Sequence, residues 1–277
     1  MIRTLTAFFL CVTTVSLQAQ PKLKIVSLNG STTEILFALG LGEQIVGVDT
    51  SSSYPALAQK INKVGYQRTL TSEGILSFSP SHLIGTVTAG PPSTIEQLKL
   101  LSLPMLIVPE VNSPDGVENK IKLISNFVGK QKEGENLLKE FKLKMKSFQK
   151  PKLQKEVKVL FLYSRNASSI FVSGTNTPAA SMIELSGAVN AVGDFTDYKP
   201  LTSESLVSAN PDVILITKHS YDMLGGGKAL WDIPGILTTK AGMNKSYIVM
   251  DDLLLLGFGP RLPDALKELG NKWKMID

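Results

Sequence analysis

The chain has 277 residues, 43% of them hydrophobic and 7% aromatic, with a formal net charge of +5. At about 100–200 residues per domain, that length has room for two lobes with sizeable cores. So mild a basic excess, without an Arg-rich or aromatic-interleaved run, excludes a nucleic-acid partner.

Residues 1–20, MIRTLTAFFLCVTTVSLQAQ, place Arg3 ahead of a short apolar run that gives way to small and polar residues. That pattern predicts a signal peptide cleaved near Ala19 or Gln20. No later segment reaches the roughly 20 apolar residues of a membrane-spanning helix. The single cysteine, Cys11, falls within the signal, so the mature chain is expected to lack disulfides, thiolate metal sites and cysteine nucleophiles.

After the signal, LKIVSLN (23–29) reads as a strand, the polar GSTTE that follows as a turn, and Ile35, Leu36 and Leu39 as one face of a helix. The short apolar runs IVGVD (45–49), HLIGT (82–86) and MLIVP (105–109) repeat the strand form, with a helical pattern between the last two. Such alternation predicts βα units and a parallel sheet covered on both faces, a first lobe over residues 21–128. Residues 129–155 change character: they are Lys-rich, with apolar positions Leu137, Leu138, Phe141, Met145 and Phe148 at helical spacing. They are expected to form one long solvated helix joining the lobes. Strand patterns restart with VKVLFLY (157–163), SIFVSG (169–174) and DVILIT (212–217), giving a second lobe over residues 156–277.

An internal repeat supports this division. TLTSEGILSFSPSHLIGT (69–86) aligns without gaps on PLTSESLVSANPDVILIT (200–217), with seven of eighteen positions identical. A period above about one hundred residues implies duplicated lobes rather than a solenoid. Clefts between such lobes are preferred ligand sites.

Catalytic patterns are scarce. There are two histidines: His82, inside a strand, reads as structural, and His219 follows one. No HExxH or GxSxG pattern occurs, and Gly225–Gly227 lacks the Lys-Ser/Thr of a phosphate loop and reads as a turn. An enzyme of this fold would have to find its base at His219, Asp251 or Asp252. Tyr66 and Arg68, in GYQRTL, differ in context: a phenolate is a hard ligand for ferric iron, and a cation two residues away would ease its ionisation. The plainer reading is a loop tyrosine with its ring packed and its hydroxyl in water. Glu73 and Glu204 share one repeat position, where each caps a helix start or forms half of a symmetric docking surface.

Taken together, GYQRTLTSEGILSFSP (65–80), AGPP (89–92), YKPLTSESLVSANPDVIL (198–215) and DDLLLLGFGPRLPDAL (251–266) resemble the periplasmic haem-binding proteins of bacterial ABC importers, a branch of the cobalamin and ferric-siderophore binding proteins. The resemblance implies an α/β fold of two Rossmann-like lobes with parallel sheets joined by a single long helix. It implies a non-enzymatic, monomeric carrier in the periplasm that holds haem b in the interlobe cleft. Tyr66 would be the axial iron ligand and Arg68 its supporting cation. Glu73 and Glu204 would dock an ABC permease dimer, and an outer-membrane receptor would be the haem donor. Asn29 and Ser31, at the first strand-to-helix turn, are candidates for the propionates. Arg165 and Tyr198 are candidates for the opposite wall. A ferric-siderophore or corrinoid carrier is the alternative.

Overall fold

The computed structural model describes residues 22–166 and 169–276, without the side chains of Arg165 and Asn166. The expected signal peptide lies outside the described residues. In the first half, β1 (Ile25–Ser27), α1 (Gly30–Ala38), β2 (Ile45–Val48), α2 (Ser72–Leu76), β3 (His82–Thr86), α3 (Pro92–Lys99) and β4 (Met105–Val108) follow in order. The four strands form one parallel sheet, β2-β1-β3-β4. Next come α4 (Pro114–Phe127) and α5 (Gln131–Ser147). The Lys-rich helix is thus 17 residues long and ends at Ser147. It packs on α4 with Phe141 buried, and Leu137, Leu138, Met145 and Phe148 lie partly buried beside it, as the spacing requires.

The second half runs through β5 (Lys158–Asn166), β6 (Ser169–Ser173), α6 (Pro178–Ser186), β7 (Val189–Asn190), β8 (Tyr198–Pro200), α7 (Ser203–Ala209) and β9 (Val213–Thr217). It continues with α8 (Lys218–Leu224), α9 (Gly227–Trp231), α10 (Lys240–Met243), β10 (Tyr247–Met250), α11 (Asp252–Leu256) and α12 (Leu262–Ile276). Strands β7, β5, β9 and β10 are parallel neighbours and reproduce the order of the first sheet. Here the expectation of a parallel second sheet needs correction. β6 folds back antiparallel on the carboxyl half of β5, and β8 pairs antiparallel with β6. β7 covers only Lys158 and Val159 on that edge of β5, and the strand beyond them is satisfied by the β6 hairpin.

The repeat holds in three dimensions. Thr71 and Thr202 each cap their helix, accepting from the N–H three residues on at 3.1 Å. Ser79 and Asn210 both adopt positive φ, and β3 and β9 begin at matching positions. Strand alternation then sorts the core into layers. Ile25, Ile84, Val159, Phe161, Val213 and Leu215 face a shared middle layer with α1, α4, α5, α6 and α12. Their neighbours Val26 and Leu83 pack under α2 and α3, and Leu160, Leu162, Ile214 and Ile216 form the outer core of the second lobe. One continuous apolar layer therefore joins the lobes.

Candidate functional site

In parallel sheets, ligands gather beyond the carboxyl ends of the strands. At that edge of the first sheet the segment around Tyr66 is held as a rigid turn. Val64 N–H donates to the Val48 carbonyl at 2.9 Å and Thr50 N–H to the Gly65 carbonyl at 3.0 Å, tying the turn to the end of β2. Gly90 N–H donates to the Gln67 carbonyl and Leu70 N–H to the Gly90 carbonyl, each at 2.8 Å, tying it to the loop after β3. Thr69 N–H closes the turn on the Tyr66 carbonyl at 2.9 Å. Gly65 has φ +110, a conformation natural only to glycine. Tyr66 is left 43% exposed, and Arg68 is exposed beside it.

Behind the turn, Asn29 caps α1: its Oδ1 accepts from Ser31 N–H at 2.9 Å and from Ser31 Oγ at 2.7 Å. Its Nδ2 donates to Gln67 Oε1 at 2.8 Å and to Glu110 Oε1 at 3.4 Å. Ser31 is only 1% exposed and also accepts from Lys120 Nζ at 2.9 Å. Both residues expected at the propionates are therefore buried and bonded inward. Lys120 completes this layer from α4; burial pulls its ammonium down to about 8 against the charges of Glu110 and Glu34. Sequence reasoning missed Lys120, although its place on the apolar stripe of Val117, Ile121 and Ile124 was a signal.

On the second lobe, Tyr198 lies over β5, with ring centroids 6.1 Å from Tyr163 and 6.5 Å from Phe161. Burial pushes its phenol up to about 12, against a hydrogen bond with Thr177 and the charge of Arg68. Tyr163 was also missed; Tyr163-x-Arg165 repeats the Tyr-x-Arg spacing of the first lobe. Arg165 stands in β5, and its side chain lies outside the described residues.

Glu73 and Glu204 occupy the first turns of α2 and α7, both exposed. Neither forms an ion pair among the described residues. The two helices start at the carboxyl edges of their sheets, and the Tyr66 turn lies at that edge of the first.

The other candidates are accounted for structurally. His82 packs edge-on against Phe127, 5.4 Å between centroids, and burial lowers its pKa. His219 is an exposed helix-start residue whose N–H donates to Asp252 Oδ2 at 3.0 Å, and Asp251 caps α11. Gly225 and Gly226, both at positive φ, turn α8 into α9. Among the described residues no group of three or more His, Cys, Asp or Glu is placed to hold a metal ion. No helix among them is long and apolar enough to cross a membrane.

Comparison with known proteins decides the class. Residues 25–253 match the periplasmic binding protein family. The chain belongs to that family. This periplasmic binding protein is 31% identical over 260 residues to the uncharacterised ABC transporter substrate-binding lipoprotein YvrC of Bacillus subtilis, covering 92% of this chain and 81% of the relative. It is 25% identical over 219 residues to the vitamin B12-binding protein of Vibrio campbellii, 78% of each chain. Among solved structures it superposes on the periplasmic haem-binding protein RhuT of Roseiflexus sp. RS-1 in apo form, with a TM-score of 0.87 and 37% identity over 92% of this chain and 99% of that one. Membership makes the chain a substrate-binding protein of transport rather than an enzyme, working outside the cytoplasm with an ABC permease.

Proposed function

We propose that the protein takes up ferric haem between its lobes through the Tyr66 phenolate and hands it to an ABC permease dimer in the inner membrane. The carrying observation is the Gly65–Leu70 turn. It sets one exposed phenol, with an exposed guanidinium two residues on whose charge is felt at Tyr198, at the carboxyl edge of the first sheet. Ferric iron is a hard acid that accepts tyrosinate as an axial ligand. Nearby positive charge lowers the cost of ionising a phenol whose ordinary pKa is about 10. Tyr198 and Tyr163 supply apolar ring surface for a porphyrin face. Asn29 and Ser31, bonded inward, brace the site from behind. Chemistry stops at ligation and release, and the continuous core between the lobes favours a cleft that changes shape little. The similarity to RhuT supports this reading.

The wider proposal keeps the chain a monomer, exported by a cleaved signal peptide to the periplasm, receiving haem b from an outer-membrane receptor and docking through Glu73 and Glu204. Titration with ferric haem tests it. A tyrosinate-type high-spin spectrum is expected in the native protein, lost in Tyr66→Phe and weakened in Arg68→Ala. An unchanged spectrum and affinity in Tyr66→Phe would overturn the ligand assignment. The vitamin B12-binding relative favours one second reading, a corrinoid cargo. Corrinoid binding without a haem spectrum would establish it.

A further inference from the structure

We propose that Gln67, the residue between Tyr66 and Arg68, is the positioning residue that aims the Tyr66 phenol at its ligand. The inference rests on the haem reading of Tyr66 and names what makes that ligand effective. Along the turn the side chains alternate, so that Tyr66 and Arg68 are exposed while Gln67 turns inward. Its Oε1 accepts from Asn29 Nδ2 at 2.8 Å and from Thr88 Oγ1 at 3.1 Å. The orientation of this network is determined. Asn29 must present its oxygen to the start of α1, where Ser31 N–H donates at 2.9 Å, so its amide nitrogen points at Gln67 and requires an acceptor there. Thr88 is held in turn by Thr86 Oγ1 at 2.8 Å. Glu110 Oε1, just beyond β4, stands 3.4 Å from Asn29 Nδ2 and 3.3 Å from Thr88 Oγ1, so the single Thr88 proton is shared between Gln67 and Glu110. The backbone adds Gly90 N–H to the Gln67 carbonyl at 2.8 Å.

One side chain thus ties the turn to the residues just beyond β1 and β3. A ligand atom set on a loop needs such bracing, because sub-ångström displacement at the metal is felt in affinity. Residues that orient metal ligands typically contribute a factor of about 10–100 in affinity. The brace is also sensitive to charge. A carboxylate at position 67 would keep an acceptor oxygen for Asn29 and Thr88 yet face Glu110 over shared donors, and like charges held close together disfavour each other.

The test uses the mature protein, ferric haem and four forms: native, Gln67→Met, Gln67→Glu, and Gln67→Glu with Glu110→Gln. Unfolding midpoints confirm that each is folded. The expected result is affinity about 10–100-fold lower in Gln67→Met, with the phenolate-to-iron charge-transfer band shifted. Gln67→Glu should be similarly weak at neutral pH, and the double variant should recover affinity and band together, a rescue that general loosening of the fold would not give. Native affinity and band in Gln67→Met overturn the proposal. So does a double variant no better than Gln67→Glu, which remains readable if Gln67→Met fails to fold. A native protein that binds haem without a tyrosinate band sinks the Tyr66 reading and this one together, whereas a native band with an indifferent Gln67→Met sinks only this one.

Discussion

Arg261 and Glu34, from opposite ends of the chain, meet at the junction of the lobes. Arg261 Nη2 donates to Glu34 Oε2 at 2.9 Å, and its backbone N–H donates to Oε1 at 3.2 Å. The guanidinium carbon stands 3.6 Å from the centroid of the Tyr54 ring, a stacking that suits Arg and not Lys. At Gly259 a Cβ would lie 3.3 Å from the Glu34 carboxylate, so glycine lets the chain approach. Lys120 reaches the same segment, donating to the Phe258 carbonyl at 3.3 Å. LGFGPR, one of the segments that carry the resemblance, is therefore a joint fastening the second lobe to α1 behind the Tyr66 turn.

Breaking this joint should be costly. Glu34 is 4% exposed, and removing the Arg261 side chain leaves its charge buried with only the backbone N–H of residue 261 beside it, a loss of a buried ion-pair partner that typically costs about 3–5 kcal/mol. Burial outweighs Arg261 and already holds Glu34 above the usual carboxylate range. A carboxyl raised in the fold favours stability while protonated and loses that contribution as pH rises through its folded value. Arg261→Ala raises Glu34 further. Urea unfolding is expected to show a deficit near the full amount at pH 7.5, shrinking toward pH 5. A deficit independent of pH would mean that the loss is packing on Tyr54 alone.

Lys120 gives the opposite slope. Its folded value of about 8 lies below the ordinary 10.5, so between those limits the unfolded chain binds more protons, and stability rises with pH on its account. Lys120→Met removes that contribution along with the bonds to Ser31 and Phe258. The stability advantage of the native protein over Lys120→Met is expected to grow between pH 8 and pH 10 by about 2 kcal/mol. Denaturant midpoints across that range measure it, and a constant difference would contradict it.

The duplicated framework was legible because local signals carry it. Thr caps, a Pro after a positive-φ residue and a mostly apolar strand recur in one register, and each acts over a few residues. The β6 hairpin was not legible as antiparallel. SIFVSG announces a strand, but its direction depends on which part of the β5 edge β7 leaves open, and that is non-local. Ser31 looked like a free helix start because Lys120, which covers it, is far along the chain and resembles the surface lysines around it. For the same reason residues 29, 67, 88 and 110 show no relation in sequence. Only the carboxyl edge of the first sheet brings them together.

The two facing tyrosines should behave differently. Tyr198, pushed up to about 12 by burial, stays protonated through pH 10 and serves the site as a neutral ring and donor. A tyrosinate signal below pH 10 is therefore not expected from Tyr198. Tyr198→Phe is expected to retain the band and bind ferric haem about 2–10-fold more weakly, the cost of one neutral hydrogen bond. Loss of the band in Tyr198→Phe, with Tyr66 intact, would reassign the ligand to the second lobe.

Glu73 and Glu204 offer the cleanest separation of binding from delivery. Each is exposed in the first turn of a short helix, where a carboxylate contributes about 0.3–1 kcal/mol through the helix dipole and no ion pair is lost on removal. Glu73→Ala with Glu204→Ala should therefore fold and bind haem as the native protein does. Docking on a two-fold partner engages one carboxylate per lobe, so each single variant should retain part of the uptake by a reconstituted transporter and the double variant little. Reversal to Lys at both positions should abolish it, because like charges facing the partner's cations repel. Uptake by the native protein should fall as salt is raised, while affinity for haem stays constant, since exposed pairs are screened over roughly 8 Å at physiological ionic strength. Full uptake by the double variant would place the docking surface elsewhere. Haem binding lost in step with uptake would show that these residues hold up the α2 and α7 starts rather than meet a partner.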